Sequence, residues 1–133
     1  MLRLAAVLAL GWAALASART PPIVITSNGP VQGSAHESHN QFLGIPFGRA
    51  PVRFAPPIDR IGQPYAQNPL MATDFGPACV QEGYAWNETY GNETDCLVVN
   101  VWQPYPLPDE PLAVMVFVPG GSWQFGEAQP YNM

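Results

Sequence analysis

The sequence predicts a chain built on strands of a mixed or parallel sheet, preceded by a small antiparallel hairpin region. Two observations carry that expectation. Ile23-Val24-Ile25 and Val31-Gln32-Gly33 are β-prone and flank Asn28-Gly29, a pair that marks hairpins because both residues tolerate positive φ. Leu112 to Val118 is an unbroken apolar run of the kind that lies mid-sheet with both faces covered. No stretch shows a convincing amphipathic helical period and no internal repeat is present.

The first element is not part of the domain. Arg3 gives a minimal positive start, Leu4 to Leu15 are apolar except for Gly11, and Ala16-Ser17-Ala18 supplies the small-x-small pattern of a cleavage site. The run is shorter than the roughly 20 residues a bilayer demands. Residues 1–18 are therefore expected to be a signal peptide rather than a membrane span, leaving 19–133 as the exported domain.

Next comes the Asn28-Gly29 hairpin, with Pro30 expected to loosen its pairing. Phe42 to Phe47 is expected to be a short strand, with Pro46 confining it to an edge or marking its end. Residues 48–78 are rich in proline and glycine and predict an irregular segment hugging the surface. Leu97 to Trp102 is β-branched and short. It is linked to the Leu112–Val118 strand by a stiff stretch holding Pro104, Pro106, Pro108 and Pro111.

Composition narrows the chemistry. The 133 residues carry 10 acids and 5 basic residues, all five arginine, for a formal charge of −5. With no lysine there is no P-loop lysine and no Schiff-base lysine. So acidic a chain has no basic face for nucleic acid. Two cysteines cannot build a structural zinc site unaided, and His36 and His39 lie far from both, so neither metal nor cofactor is expected. At 47% hydrophobic and 11% charged the chain is not disordered by composition, and its length suits one domain.

Export changes how the cysteines read. Cys79 and Cys96 are the only pair, in a compartment where thiols oxidise, and are expected to form a disulfide. Between them stand two sequons, Asn87-Glu88-Thr89 and Asn92-Glu93-Thr94, candidate glycosylation sites at Asn87 and Asn92.

Val118-Pro119-Gly120-Gly121-Ser122-Trp123 comes directly off the second strand. Successive glycines let a backbone turn so that its N–H groups point into one cavity, where they can hold the oxyanion of an acyl-transfer intermediate. An ordinary tight turn is the other reading of the same pair.

The order of motifs resembles the N-terminal portion of the type-B carboxylesterase and cholinesterase family. The landmarks are Gly29-x-Val31-x-Gly33, Phe42-Leu43-Gly44-Ile45-Pro46-Phe47 and Arg53-Phe54-x-Pro56-Pro57, then Ala72-Thr73-x-Phe75-Gly76-Pro77-x-Cys79. Asp95-Cys96-Leu97-x-Val99-Asn100-Val101-Trp102 and Gly120-Gly121 follow. The resemblance implies an α/β fold, the first part of an α/β-hydrolase with a central mixed sheet behind a small antiparallel region. It implies that Cys79–Cys96 is the family's first disulfide, and that Gly121 and Ser122 occupy the slots whose N–H groups form half of the oxyanion hole. The implied activity is hydrolysis of a small carboxylic ester through a serine. Trp86-Asn87 also resembles the cholinesterases, where an indole at this distance from the second cysteine receives the choline cation. Packing of the loop is the other role open to Trp86.

Four departures qualify the match. The family's His or Tyr before the glycines is Pro119, and its third glycine is Ser122, which is strained if that position needs positive φ. Gly-Gly-Ser-aromatic also resembles the neuroligins, family members that bind partners and hydrolyse nothing. Thr94 stands where the family has the acid partner of the Arg53 slot, leaving Glu93 or Asp95 to take over. The nucleophile elbow G-x-S-x-G is absent, because Gln124 fills its second glycine slot after Gly120-Gly121-Ser122-Trp123. The sequence is thus expected to be the first quarter of an exported serine esterase and to be inactive alone. A neuroligin-like binding protein and a non-functional fragment are the alternatives.

Overall fold

The computed structural model describes residues 19–52, 54–82, 90–91 and 95–132. The expected signal peptide at 1–18, and Arg53, Trp86, Asn87, Asn92, Glu93 and Thr94, lie outside the described residues.

The hairpin forms, one residue out of place. Strand β1 (Ile23–Thr26) pairs antiparallel with β2 (Gly29–Gln32), with Thr26 opposite Gly29. The turn residues are therefore Ser27 and Asn28, and the positive φ (+122°) falls on Gly29, the first residue of β2. Asn28 is held there by its own side chain. Its Oδ1 accepts from the Gly62 N–H at 3.1 Å and its Nδ2 donates to the Arg60 carbonyl. Its main-chain carbonyl accepts from the Tyr65 N–H at 3.2 Å. These bonds to the 60–65 segment hold Asn28 in place from outside the hairpin. Pro30 does not break the ladder, which runs through it opposite Ile25.

β3 (Ser34–Ala35) leads into β4 (His39–Pro46), the longest strand, which ends at its proline as expected. β5 (Gly48–Arg49) and β6 (Ile58–Asp59) form a small antiparallel pair within the proline-rich stretch. β7 (Leu70–Met71) runs parallel to β2, giving a mixed sheet ordered β1-β2-β7. β8 (Ala78–Cys79) pairs parallel with β9 (Tyr90–Gly91). β10 (Val98–Pro104) pairs antiparallel with β4, which is the middle strand of the sheet β10-β4-β3. The β4–β10 register shifts between Val99 and Val101, where Leu43 and Gly44 of β4 oppose the single Asn100, a bulge in β4 with Gly44 at φ +66°. Asn100 Oδ1 there accepts the Gly44 N–H at 2.8 Å, satisfying a donor the irregular ladder leaves over.

Ala72 joins the two three-stranded sheets: its N–H donates to the Gln32 carbonyl at 2.8 Å and its carbonyl accepts from the Leu43 N–H at 2.9 Å. Beneath that seam Val31, only 1% exposed, packs with Phe42 and Ala72, flanked by Ile45, Tyr65 and Leu70. Burying side chains the size of Val31 and Phe42 stabilises by about 1.5–3 kcal/mol each. Buried Asn40 is satisfied by Arg19 and by Gln103 Oε1 at 3.2 Å. At the chain's described start, the Arg19 guanidinium lies 3.3 Å from the Tyr105 ring centroid and donates to the His36 carbonyl and to Asn40 Oδ1.

Leu112–Val118 departs from expectation. It forms no strand ladder and is exposed throughout, Met115 to 93%. A strand buried on both faces owes its pairing and cover to elements distant in sequence; no described strand pairs with this run, and Tyr131 meets Phe117 edge-on with ring centroids 5.0 Å apart. Gln129–Tyr131 closes the described chain as a single 3-10 turn. No described helix is long and apolar enough to cross a membrane.

Candidate functional site

The glycine pair after the Leu112–Val118 run folds back on itself. The Gly121 carbonyl accepts from both the Gln124 N–H at 3.0 Å and the Phe125 N–H at 3.1 Å. The residues inside that ring, Ser122 and Trp123, have φ of +54° and +65°, so the chain makes one left-handed turn. The strain anticipated for serine in the third slot is present. Only glycine fits at 121, because a Cβ built there would lie 1.4 Å from the Phe125 carbonyl oxygen.

The ends of the turn also meet. A Cβ at Gly126, itself at φ +152°, would lie 2.7 Å from the Gly120 carbonyl oxygen. The Gly126 N–H donates to Gln81 Oε1 at 2.5 Å. Gln81 stands two residues beyond Cys79, and Cys79 is bonded to Cys96 with Cα atoms 4.9 Å apart, as the sequence predicts. An open hollow of about 320 Å³ lies between the bridge and the turn, lined by Cys79, Gln81, Pro119, Trp123 and Phe125 among others. No lining residue is charged. Any polarity the hollow offers comes from backbone dipoles and amides. Among the described residues, the Gly121 and Ser122 N–H groups have no hydrogen-bond partner.

The structure thus brings the turn that carries the predicted Gly121 and Ser122 to the hollow beside Cys79 of the predicted disulfide, through Pro119 and residues 123–126, while Gly121 and Ser122 themselves do not line it. The other candidates stay apart. His36 and His39 stack in the β3–β4 connection with ring centroids 4.5 Å apart and do not line the hollow. Trp86, Asn87 and Asn92 lie outside the described residues. Gln81 and Gly126 were not singled out from sequence, because a side chain bonding a backbone amide 45 positions away leaves no local pattern.

A model described as the carboxylesterase family matches residues 20–133. The chain belongs to that family. Carboxylesterase 1C of Mus musculus is 34% identical over 93% of this chain and 27% of its own length. The bile salt-activated lipase of Bos taurus is 35% identical over 92% of this chain and 21% of its own. Among solved structures, a thermophilic pNB esterase superposes with a TM-score of 0.65 at 33% identity, covering 80% of this chain and 23% of its own. Another pNB esterase gives 0.65 at 34%, covering 80% and 22%. The expected fold class holds: this carboxylesterase-family chain is strand-rich, with small mixed and antiparallel sheets, and represents part of an α/β-hydrolase. It spans about a quarter of the length of these relatives.

Proposed function

We propose that the chain is the N-terminal part of an exported carboxylic ester hydrolase, in which Gly121 and Ser122 supply half of the oxyanion hole. The observation that carries this reading is the left-handed 121–125 turn, in which the Gly121 and Ser122 N–H groups have no partner among the described residues and whose neighbours Pro119 and residues 123–126 line an uncharged hollow. Attack of a serine on an ester carbonyl moves charge onto the carbonyl oxygen, and fixed N–H donors stabilise that charge without reorganising. Removing one such donor typically raises the barrier by about 3–4 kcal/mol. The proline at 119 lacks an N–H, but that group is not one of the two donors.

Export is supported by the composition of residues 1–18, the family match beginning at residue 20, and the Cys79–Cys96 bridge. Asn87 and Asn92 then become glycan acceptors if the host glycosylates. No cofactor enters this chemistry. A second reading, a non-catalytic binding protein, is favoured by the strained Ser122 and the fully exposed Trp123.

The deciding experiment uses the full-length protein that contains this chain. Saturable hydrolysis of p-nitrophenyl acetate, abolished by a serine-directed phosphonate, is expected. An intact folded protein with no turnover would reject the hydrolase in favour of binding or a non-functional product. Choline esters probe Trp86 separately. An indole that receives the cation contributes up to ~2 kcal/mol, about 30-fold, over the uncharged dimethylbutyl isostere. Trp86→Ala then loses that margin selectively, whereas equal losses for both esters make Trp86 a packing residue.

A further inference from the structure

We propose that Gln81 is a positioning residue, a strut that carries the place of the Cys79–Cys96 bridge to the Gly121 and Ser122 N–H groups. The inference rests on the oxyanion-hole reading for its catalytic consequence and on geometry for the strut itself. A left-handed turn at two non-glycine residues is not self-supporting, since each such residue prefers to leave that region. Something outside the turn has to hold it. The turn's own bonds run from Gln124 and Phe125 to Gly121 and stabilise its interior but do not fix it to the domain. The neck, where Gly126 lies against the Gly120 carbonyl, is tied down from outside by Gln81 Oε1 accepting the Gly126 N–H.

Gln81 is well placed to act as a fixed post. It is half-buried and stands two residues past Cys79, whose strand β8 is paired to β9 and whose sulfur is bonded to Cys96. Cys96 in turn directly precedes Leu97, whose carbonyl accepts the Phe47 N–H at 3.1 Å just beyond the end of β4. A displacement at the bridge therefore reaches the 120–126 turn through one side-chain amide. Gly126 has to be glycine because of its positive φ, and Gln81 needs only an acceptor oxygen at the right reach.

That last point supplies the test, run on the full-length, disulfide-intact protein. Gln81→Met keeps the side chain's length and removes the acceptor, whereas Gln81→Glu keeps an acceptor that binds an N–H at least as well. In Gln81→Met the Gly126 amide is expected to exchange with deuterium roughly ten-fold faster. Its kcat on p-nitrophenyl acetate should fall roughly ten-fold with KM within about two-fold, because the N–H donors that the contact positions act on charge that develops only in the transition state. Gln81→Glu should restore both. Unchanged Gly126 exchange in Gln81→Met overturns the strut. Faster exchange with unchanged kcat, or a fall in kcat that Glu does not restore, overturns its role in catalysis. A parent protein without esterase activity overturns the hydrolase reading alone, and the exchange comparison still decides whether Gln81 holds the turn.

Discussion

Ser122 and Trp123 occupy backbone territory that costs an L-residue roughly 1–2 kcal/mol each. Replacing Ser122 by glycine relieves one of those penalties without touching a bond. Ser122→Gly is expected to raise unfolding stability in urea by about 1 kcal/mol. Gly121→Ala acts in the opposite sense, since its Cβ collides with the Phe125 carbonyl. We expect that variant to keep its far-UV circular dichroism and to lose at least about 100-fold in esterase kcat, the scale of one misplaced oxyanion donor. At this scale the sequence was informative where a residue type is restrictive. A serine where relatives place glycine announces strain, and paired glycines announce a turn. Asn28 shows the limit. The Asn-Gly signal located the hairpin, but bonds from Asn28 to residues 60 and 62 shifted the turn by one position.

Among elements, the β4–β10 pair depends on one bulge. The extra residue at Leu43–Gly44 interrupts the ladder and the carboxamide of Asn100 opposite it answers the Gly44 N–H. Asn100→Leu keeps side-chain size, removes the acceptor and leaves that donor unmatched, at an expected cost of about 1–3 kcal/mol read from the thermal midpoint. The same strand pair bears the second cysteine at its entrance, so the bridge constrains it too. Reduction of Cys79–Cys96 frees a loop with a sequence separation of 17 and is expected to lower stability by about 3 kcal/mol, measured by denaturation with and without dithiothreitol. Strand existence was readable from the β-branched runs at 23–25 and 97–102 and from the apolar stretch at 42–47. The bulge was not, because it is a property of register between two strands rather than of either one.

For the whole molecule the decisive contrast is between a small buried core and a long bare one. Val31, Phe42 and Ala72 are sealed, while Leu112–Val118, the most apolar run after residue 18, lies open. The apolar run predicts a strand buried on both faces, and the structure shows neither pairing nor burial there, because both depend on contacts that sequence order does not encode. Expressed by itself, the chain 19–133 is expected to bind a hydrophobic dye strongly and to show no esterase turnover above a heat-killed control. A dye-silent preparation with a sharp thermal transition, or measurable turnover, would contradict this.

The docking of Arg19 has a consequence for processing at the other end. Its guanidinium is already engaged with the Tyr105 ring, the His36 carbonyl and Asn40. If cleavage follows Ala18, the newly liberated α-amino group belongs to a residue whose side chain is clamped on the domain surface rather than to a dangling tail. An aminopeptidase needs its terminal residue free to enter a narrow cleft, and here that residue is tethered. Maturation would then produce a ragged-proof end, trimmed once by the leader enzyme and resistant to further nibbling.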